Sequence, residues 1–172
     1  MARFIKMFSI IVVLLFLSSV TQAETLGKET LKGLKGVHVL VETLSPDIEK
    51  DGLRKSSLHT DVELKLRLAG IKVLTKEEYL KEPGKPYLYV NVGSLKDERG
   101  FYHFSIEVAL NQVVTLLRDF TITSFAITWR ATGRFGYAGE ERVESFIRSN
   151  INDSINEFIN DYLAMNPKEK KE

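Results

Sequence analysis

Three lone histidines, a Ser-His-Asp triplet and a glycine run ahead of a helix are the residues of this chain from which chemistry would have to be built. His38, His59 and His103 are isolated in sequence. None has a second histidine or a carboxylate at ligand spacing, and with no cysteine in the chain a thiolate zinc site is excluded. His38 and His103 could meet only across strands. "SSLHTD" at 56–61 places Ser, His and Asp along one predicted helix, where they cannot converge on one atom; helix surface and capping explain them better. In "GRFGYAGEE" the glycines at 133, 136 and 139 precede a helix, the place for an anion. Their spacing matches neither phosphate-binding loop, and Glu140 and Glu141 would repel a phosphate. Glycines that release the chain from a sheet edge into the helix account for the run. Glu107 stands alone in a strand, and Asp153, Glu157 and Asp161 form an acidic line down a helix, read as a solvated face. No catalytic residue, metal site or cofactor is expected.

The elements that would position these residues belong to an exported chain. Arg3 and Lys6 precede the apolar run Met7–Leu17, and Ser18–Ala23 is small and polar. Those are the three parts of a secretory signal, with cleavage expected between Ala23 and Glu24. The run is short of the roughly 20 residues that a spanning helix needs unless Ser18, Ser19 and Val20 are counted in, so an uncleaved anchor is the alternative and no membrane span is expected after cleavage. Cleavage removes two of the 24 bases and none of the 23 acids, which leaves the mature chain one charge negative. A basic excess of the kind that grips nucleic acid is missing. Without cysteine, the periplasmic or secreted protein must be held by its own core.

Residues 24–35, with Gly27 and Gly33, read as a mobile arm. From 36 to 166 a single domain follows, and 167–172 is a disordered charged tail. Alternating Val37, Val39 and Val41 predict a strand over 36–44. Leu58, Val62, Leu66 and Ala69 predict a helix within 45–70, which Gly52 divides and Gly70 ends. "IKVLT" (71–75) predicts a second strand, closing a parallel strand–helix–strand unit. Thr75 and Glu78 have capping-box spacing for a short helix. Strands are predicted at 87–95, 101–119 and 121–136, the last two as a long hairpin with a bulge near Asn111-Gln112. Val143, Ile147, Ile151, Ile155, Phe158, Ile159 and Tyr162 predict a final helix of more than five turns. The fold class is α+β: one mixed five-stranded sheet, in the order β-α-β-β-β-β-α with a short extra helix, and two main helices on one face. Expected interior residues are Val39, Val41, Leu58, Val62, Leu66, Val90, Ile106, Val108, Ile127, Ile151, Ile155 and Phe158.

One feature exceeds the ordinary. If strand parity holds, the sheet face opposite the helices carries Leu40, Tyr87, Tyr89, Phe101 and His103, with Val113, Leu117 and Phe135 beside them. Antiparallel sheets usually present a polar outer face. Either this one docks a partner, or the arm or the short helix with Tyr79 and Leu80 lies across it. At "LHTDVELKLRLAGIKVL", "PYLYVNVGSL" and "FINDYLAMNP" the sequence resembles small exported bacterial proteins of uncharacterised function. Its element order is similar to envelope α+β domains such as the TolB N-terminal domain and CsgG-like assembly proteins. The resemblance implies no functional residue. The expectation is a non-enzymatic exported module that contacts an envelope protein through Leu40, Tyr87, Tyr89, Phe101 and His103. The alternative is a carrier of a small apolar ligand or lipid held between sheet and helices. Sequence leaves the oligomeric state open.

Overall fold

The computed structural model describes residues 27–167. The predicted signal segment, the first residues of the arm and the charged tail from 168 lie outside the described residues. Five strands form one sheet: β1 (His38–Val41), β2 (Tyr87–Lys96), β3 (Phe101–Leu116), β4 (Asp119–Arg130) and β5 (Arg134–Gly139). Among the described residues α1 (Pro46–Lys50), α2 (Lys55–Leu68), α3 (Lys76–Lys81) and α4 (Glu140–Met165) accompany them, and residues 27–29 are helical as well. The class is the one the sequence predicts, α+β with a mixed open sheet.

Strand order is β1-β2-β3-β4, with β5 also paired to β3. Only β1 and β2 run parallel; the other pairs are antiparallel. Alternation makes one face: Val39 and Val41, then Leu88, Val90 and Val92, then Tyr102, Phe104, Ile106, Val108 and Leu110, all buried. The stripes of α2 (Leu58, Val62, Leu66) and α4 (Val143, Ile147, Ile151, Ile155, Phe158) close over that face. At roughly 25 cal/mol per Å² of apolar surface, this contact is what holds a chain with no disulfide.

Local chemistry sets the helix ends. After α2, the Ile71 N–H reaches the Leu66 carbonyl and the Gly70 N–H reaches Arg67, a Schellman motif with Gly70 at φ +79°. Thr75 and Glu78 form the predicted capping box of α3, with side chain bonded to backbone in both directions. A turn at Asp51-Gly52 separates α1 from α2.

Several expectations change. Residues 71–75 are no ladder strand: Val73 makes a single parallel bridge to Val37, and β1 takes β2 as its parallel neighbour. Five strands are still reached because the stretch 121–136 is two strands. The chain leaves β3 at Ala131, where the Thr132 N–H is taken by Glu157 of α4, and returns to β3 as β5. The bulge expected near Asn111-Gln112 is present, with the extra residue, Thr128, on β4: Leu110 pairs with Trp129 and Asn111 with Ile127. It reverses parity along β4. Trp129 and Ala131 are buried on the helix side, whereas Ile127, expected inside, is 45% exposed.

The stretch expected as a mobile arm is tied down over residues 27–35. Leu31 is fully buried, and Asn166 at the end of α4 bonds to Gly33 N and the Leu31 carbonyl. Tyr162 donates to the Leu34 carbonyl, and Thr30 donates to the Thr128 carbonyl at the bulge.

Candidate functional site on the open sheet face

The face turned away from α2 and α4 is the candidate site, and pairing arranges its side chains in rows. One row runs His38, Tyr87, Asn111, Ile127 and the next Leu40, Tyr89, Ala109, Arg130. Towards the opposite end come Asn91 with Glu107, then Gly93, Ser105 and Phe135, then Leu95, His103 and Tyr137. Phe101, opposite Gly139, closes the face.

These rows fall into three zones. At one end α3 lies against the sheet. Tyr79 stacks on His38 at 5.1 Å and meets Tyr87 edge-on at 6.2 Å, while Tyr87 meets Phe125 at 5.8 Å. His38 Nδ1 is also 3.0 Å from the Leu74 carbonyl. Tyr87 is therefore half-buried, which answers in part what covers this face: the short helix does, over this end.

The middle is polar. Tyr89 donates to Glu42 Oε2 at 3.3 Å, and Arg130 pairs with Glu107 at 2.8 Å. The Glu42 carboxyl is held below its ordinary value, first by the Thr43 N–H and then by Tyr89. Burial, followed by the Glu42 charge, pushes the Tyr89 phenol up.

The far end is uncovered. Leu95 is 71% exposed, Tyr137 70% and Phe135 84%, with Phe101 and His103 beside them. The β2–β3 turn bounds this zone. Asp97 accepts from the N–H groups of Phe101 and Arg99, the former doing most to keep its carboxyl low, and His103 Nε2 lies 3.6 Å from it.

Of the residues singled out from sequence, Tyr87, Tyr89 and Leu40 thus sit at the covered or polar part, while Phe101 and His103 sit at the open end. His38 and His103 do not meet, since they lie in rows at opposite ends of the sheet. Tyr137 and Leu95 are the residues that parity alone did not single out. Tyr137 belonged to the stretch read as a glycine-rich release into the helix, and only pairing with β3 shows it to be a strand residue facing outward.

Elsewhere, polar groups are engaged within the fold. Glu157 of the acidic line binds Arg134 and the Thr132 N–H, and Asp161 accepts from Trp129 Nε1 at 2.9 Å and pairs with Lys28. Lys96 bridges Asp51 (2.7 Å) and Glu140 (2.9 Å), with the Tyr102 hydroxyl 2.5 Å from the same Asp51 oxygen. A cleft of about 520 Å³ lies between α2 and α4, lined by Leu58, Leu64, Leu68 and Ile151 and rimmed by the Asp61–Arg148 pair.

Among the described residues no group of three His, Asp or Glu is placed to hold a metal ion. No described helix is long and apolar enough to cross a membrane. The open end offers apolar and aromatic area beside one imidazole, chemistry suited to contact. No protein-family model matches the chain, and no curated protein matches it at a significant level.

Proposed function

We propose that the protein is a non-enzymatic, exported binding or assembly module that contacts another envelope component through the open end of its sheet. The observation that carries this is the exposed cluster of Leu95, Phe101, Phe135 and Tyr137 around His103. Tyrosine and phenylalanine held on paired strands lose little side-chain entropy on docking, which is why such residues anchor interfaces. Glycine at 93 and serine at 105 keep the rest of the Phe135 row low, so that Phe135 and, in the next row, Tyr137 stand proud of it. Tyr87 and Tyr89 take a supporting place, packed or hydrogen-bonded within the protein.

A photo-cross-linking side chain at Tyr137, compared with one at Asn160 on α4, tests the proposal in cells that export the protein. Adducts are expected at 137 and none at 160. The change Phe135→Glu is expected to weaken the captured complex roughly tenfold or more, the scale of losing an aromatic anchor. Equal labelling at both positions, or a complex indifferent to Phe135→Glu, would sink the assignment. The carrier alternative receives no comparable support. The cleft described above opens outward between helices, and between sheet and helices stand fully buried Leu88, Val90, Leu58, Ile147 and Ile155.

A further inference from the structure

We infer that α3 is a lid over the His38–Tyr87 end of the open face, opening locally while the sheet stays folded. On the docking role proposed above, on which this second step rests, opening enlarges the surface that the envelope partner meets. None of the six residues of α3 is buried, and Leu80 is 53% exposed. Its side-chain bonds are those of Glu78, whose carboxylate accepts from Lys72 Nζ at 2.6 Å and from the Thr75 N–H at 2.9 Å. Both partners lie on the entry side of the helix and neither is in the sheet. What holds α3 down is one ring: Tyr79, against His38 at 5.1 Å and Tyr87 at 6.2 Å.

The two ends of the segment are fixed, so it can swing without drifting away. Leu74 is buried and donates to the Val37 carbonyl, and the Gly84 carbonyl accepts from the Val113 N–H at 2.7 Å. Gly84 at φ +75° and Lys85 at φ +42° form the exit turn. Lysine sparsely populates that left-handed conformation, so the closed turn carries strain. Beyond Tyr79 the segment does not seat closely: a hollow of about 500 Å³ separates Leu80 and Pro83 from Val113 and Phe125 of the hairpin.

Segments with few buried apolar contacts open locally, at a fraction of the cost of unfolding the whole domain. The stretch 27–35 shows the contrast. It too is short, yet Leu31 is fully buried and its backbone is bonded to Tyr162 and Asn166 of α4. α3 has no such ties. Lifting Tyr79 bares His38 and Tyr87 beside the next row, Leu40 and Tyr89, and carries the aromatic face to the end of the sheet.

A chain without cysteine allows single thiols to report the opening. With an aromatic disulfide reagent, Tyr87→Cys is expected to react at least tenfold more slowly than exposed Leu95→Cys, at a rate that low urea leaves unchanged. Adding Tyr79→Ala should bring it close to the Leu95→Cys rate. Val90→Cys, in the core, should react only through global unfolding and accelerate steeply with urea. Amide exchange on the unmodified protein should divide the same way, urea-insensitive over 76–82 and urea-dependent over 88–92. A Tyr87→Cys rate that climbs with urea, or amides at 76–82 that do, overturns the lid, as does a Tyr87→Cys rate already equal to that of Leu95→Cys. In exporting cells a photo-cross-linker at Leu40 should give several-fold more adduct when Tyr79→Ala is added, with labelling at Tyr137 kept. Unchanged labelling at 40 beside intact labelling at 137 overturns the control of docking. Loss at 137 itself refutes the docking role, and the thiol rates, which need no partner, do not depend on it.

Discussion

Replacing Gly136 by alanine puts opposite signs on two explanations of the same glycine. A Cβ built at Gly136 would lie 2.7 Å from Cζ of Phe104, 3.1 Å from Cε2 and 3.4 Å from Cε1. Carbon pairs rest at about 3.5–4.0 Å, so a buried ring must yield by about 1 Å. Overpacking of this kind costs about 1–3 kcal/mol. Acting the other way, alanine restricts the unfolded chain and gains about 0.4–1 kcal/mol, because Gly136 does not have a positive φ. The net expectation is destabilisation of about 1–2 kcal/mol, and at about 2–4 °C per kcal/mol for a chain near this size a fall of several degrees in Tm. Gly133 is the control. Its added Cβ meets nothing closer than 3.7 Å, so Gly133→Ala should be neutral or slightly stabilising. Calorimetry and urea unfolding of both variants decide the matter, with Gly136→Ala repeated in a Phe104→Leu background, where the penalty should shrink. If Gly136→Ala raised Tm as Gly133→Ala does, the glycine would be there for release of the chain and not for the ring of Phe104.

The cluster at Asp51 should make stability depend on pH at both ends. Hydrogen bonds from Lys96, then Tyr102, hold the Asp51 carboxyl below its ordinary value, so its contribution is present above the unfolded value of 3.8 and lost as pH falls through the folded one. Asp51→Asn is expected to flatten the acid limb of a urea-midpoint profile; an unchanged limb would refute this. Burial, then Asp51, pushes the Tyr102 phenol up to about 12, so stability should fall as pH rises from 10 towards that value. Tyr102→Phe should reduce that loss, measured the same way. Asp161→Ala would leave the buried Trp129 N–H unpaired, at a cost of about 1–3 kcal/mol; as Trp129 is the sole tryptophan, its emission should shift with the unfolding midpoint. Thr75→Ala breaks the capping box and should weaken α3 by about 0.5–2 kcal/mol, read as faster amide exchange over 76–81 while β2 stays protected.

Periodicity carried the long elements because their apolar spacing is unambiguous. α4 presents Val143 through Tyr162 at three- and four-residue steps, and β2 over 87–92 and β3 over 101–108 alternate buried residues with less buried ones. Short segments were another matter. "IKVLT" has strand composition, yet the tight Schellman exit from α2 and the immediate start of α3 leave room for one bridge at Val73. Residues 27–35 carry glycine and lysine typical of a mobile stretch. Their order comes from Asn166, Tyr162 and Thr128, partners far along the chain, which no local pattern encodes.

The open face was harder to read than the fold for a definite reason. A strand's sides are assigned by counting in twos, and one extra residue inverts every assignment beyond it. Counting from Phe125 through Ile127 and Trp129 to Ala131 puts all four on one side. Thr128 bulges between them, so the first two join the open face and the last two the core. The same inserted residue puts Arg130 on the open face, where it pairs with Glu107. The break at 131–133 then resets the count again, and Phe135 and Tyr137 come out beside Ser105 and His103. Composition supplied the aromatic residues, but their convergence needed two local irregularities, both visible only once β3 is present as a common partner. Changes at Thr128 should therefore disturb the register of β4 on β3 and the Glu107–Arg130 pair while leaving the Leu95, His103 and Tyr137 row in place, because β5 pairs with β3 directly.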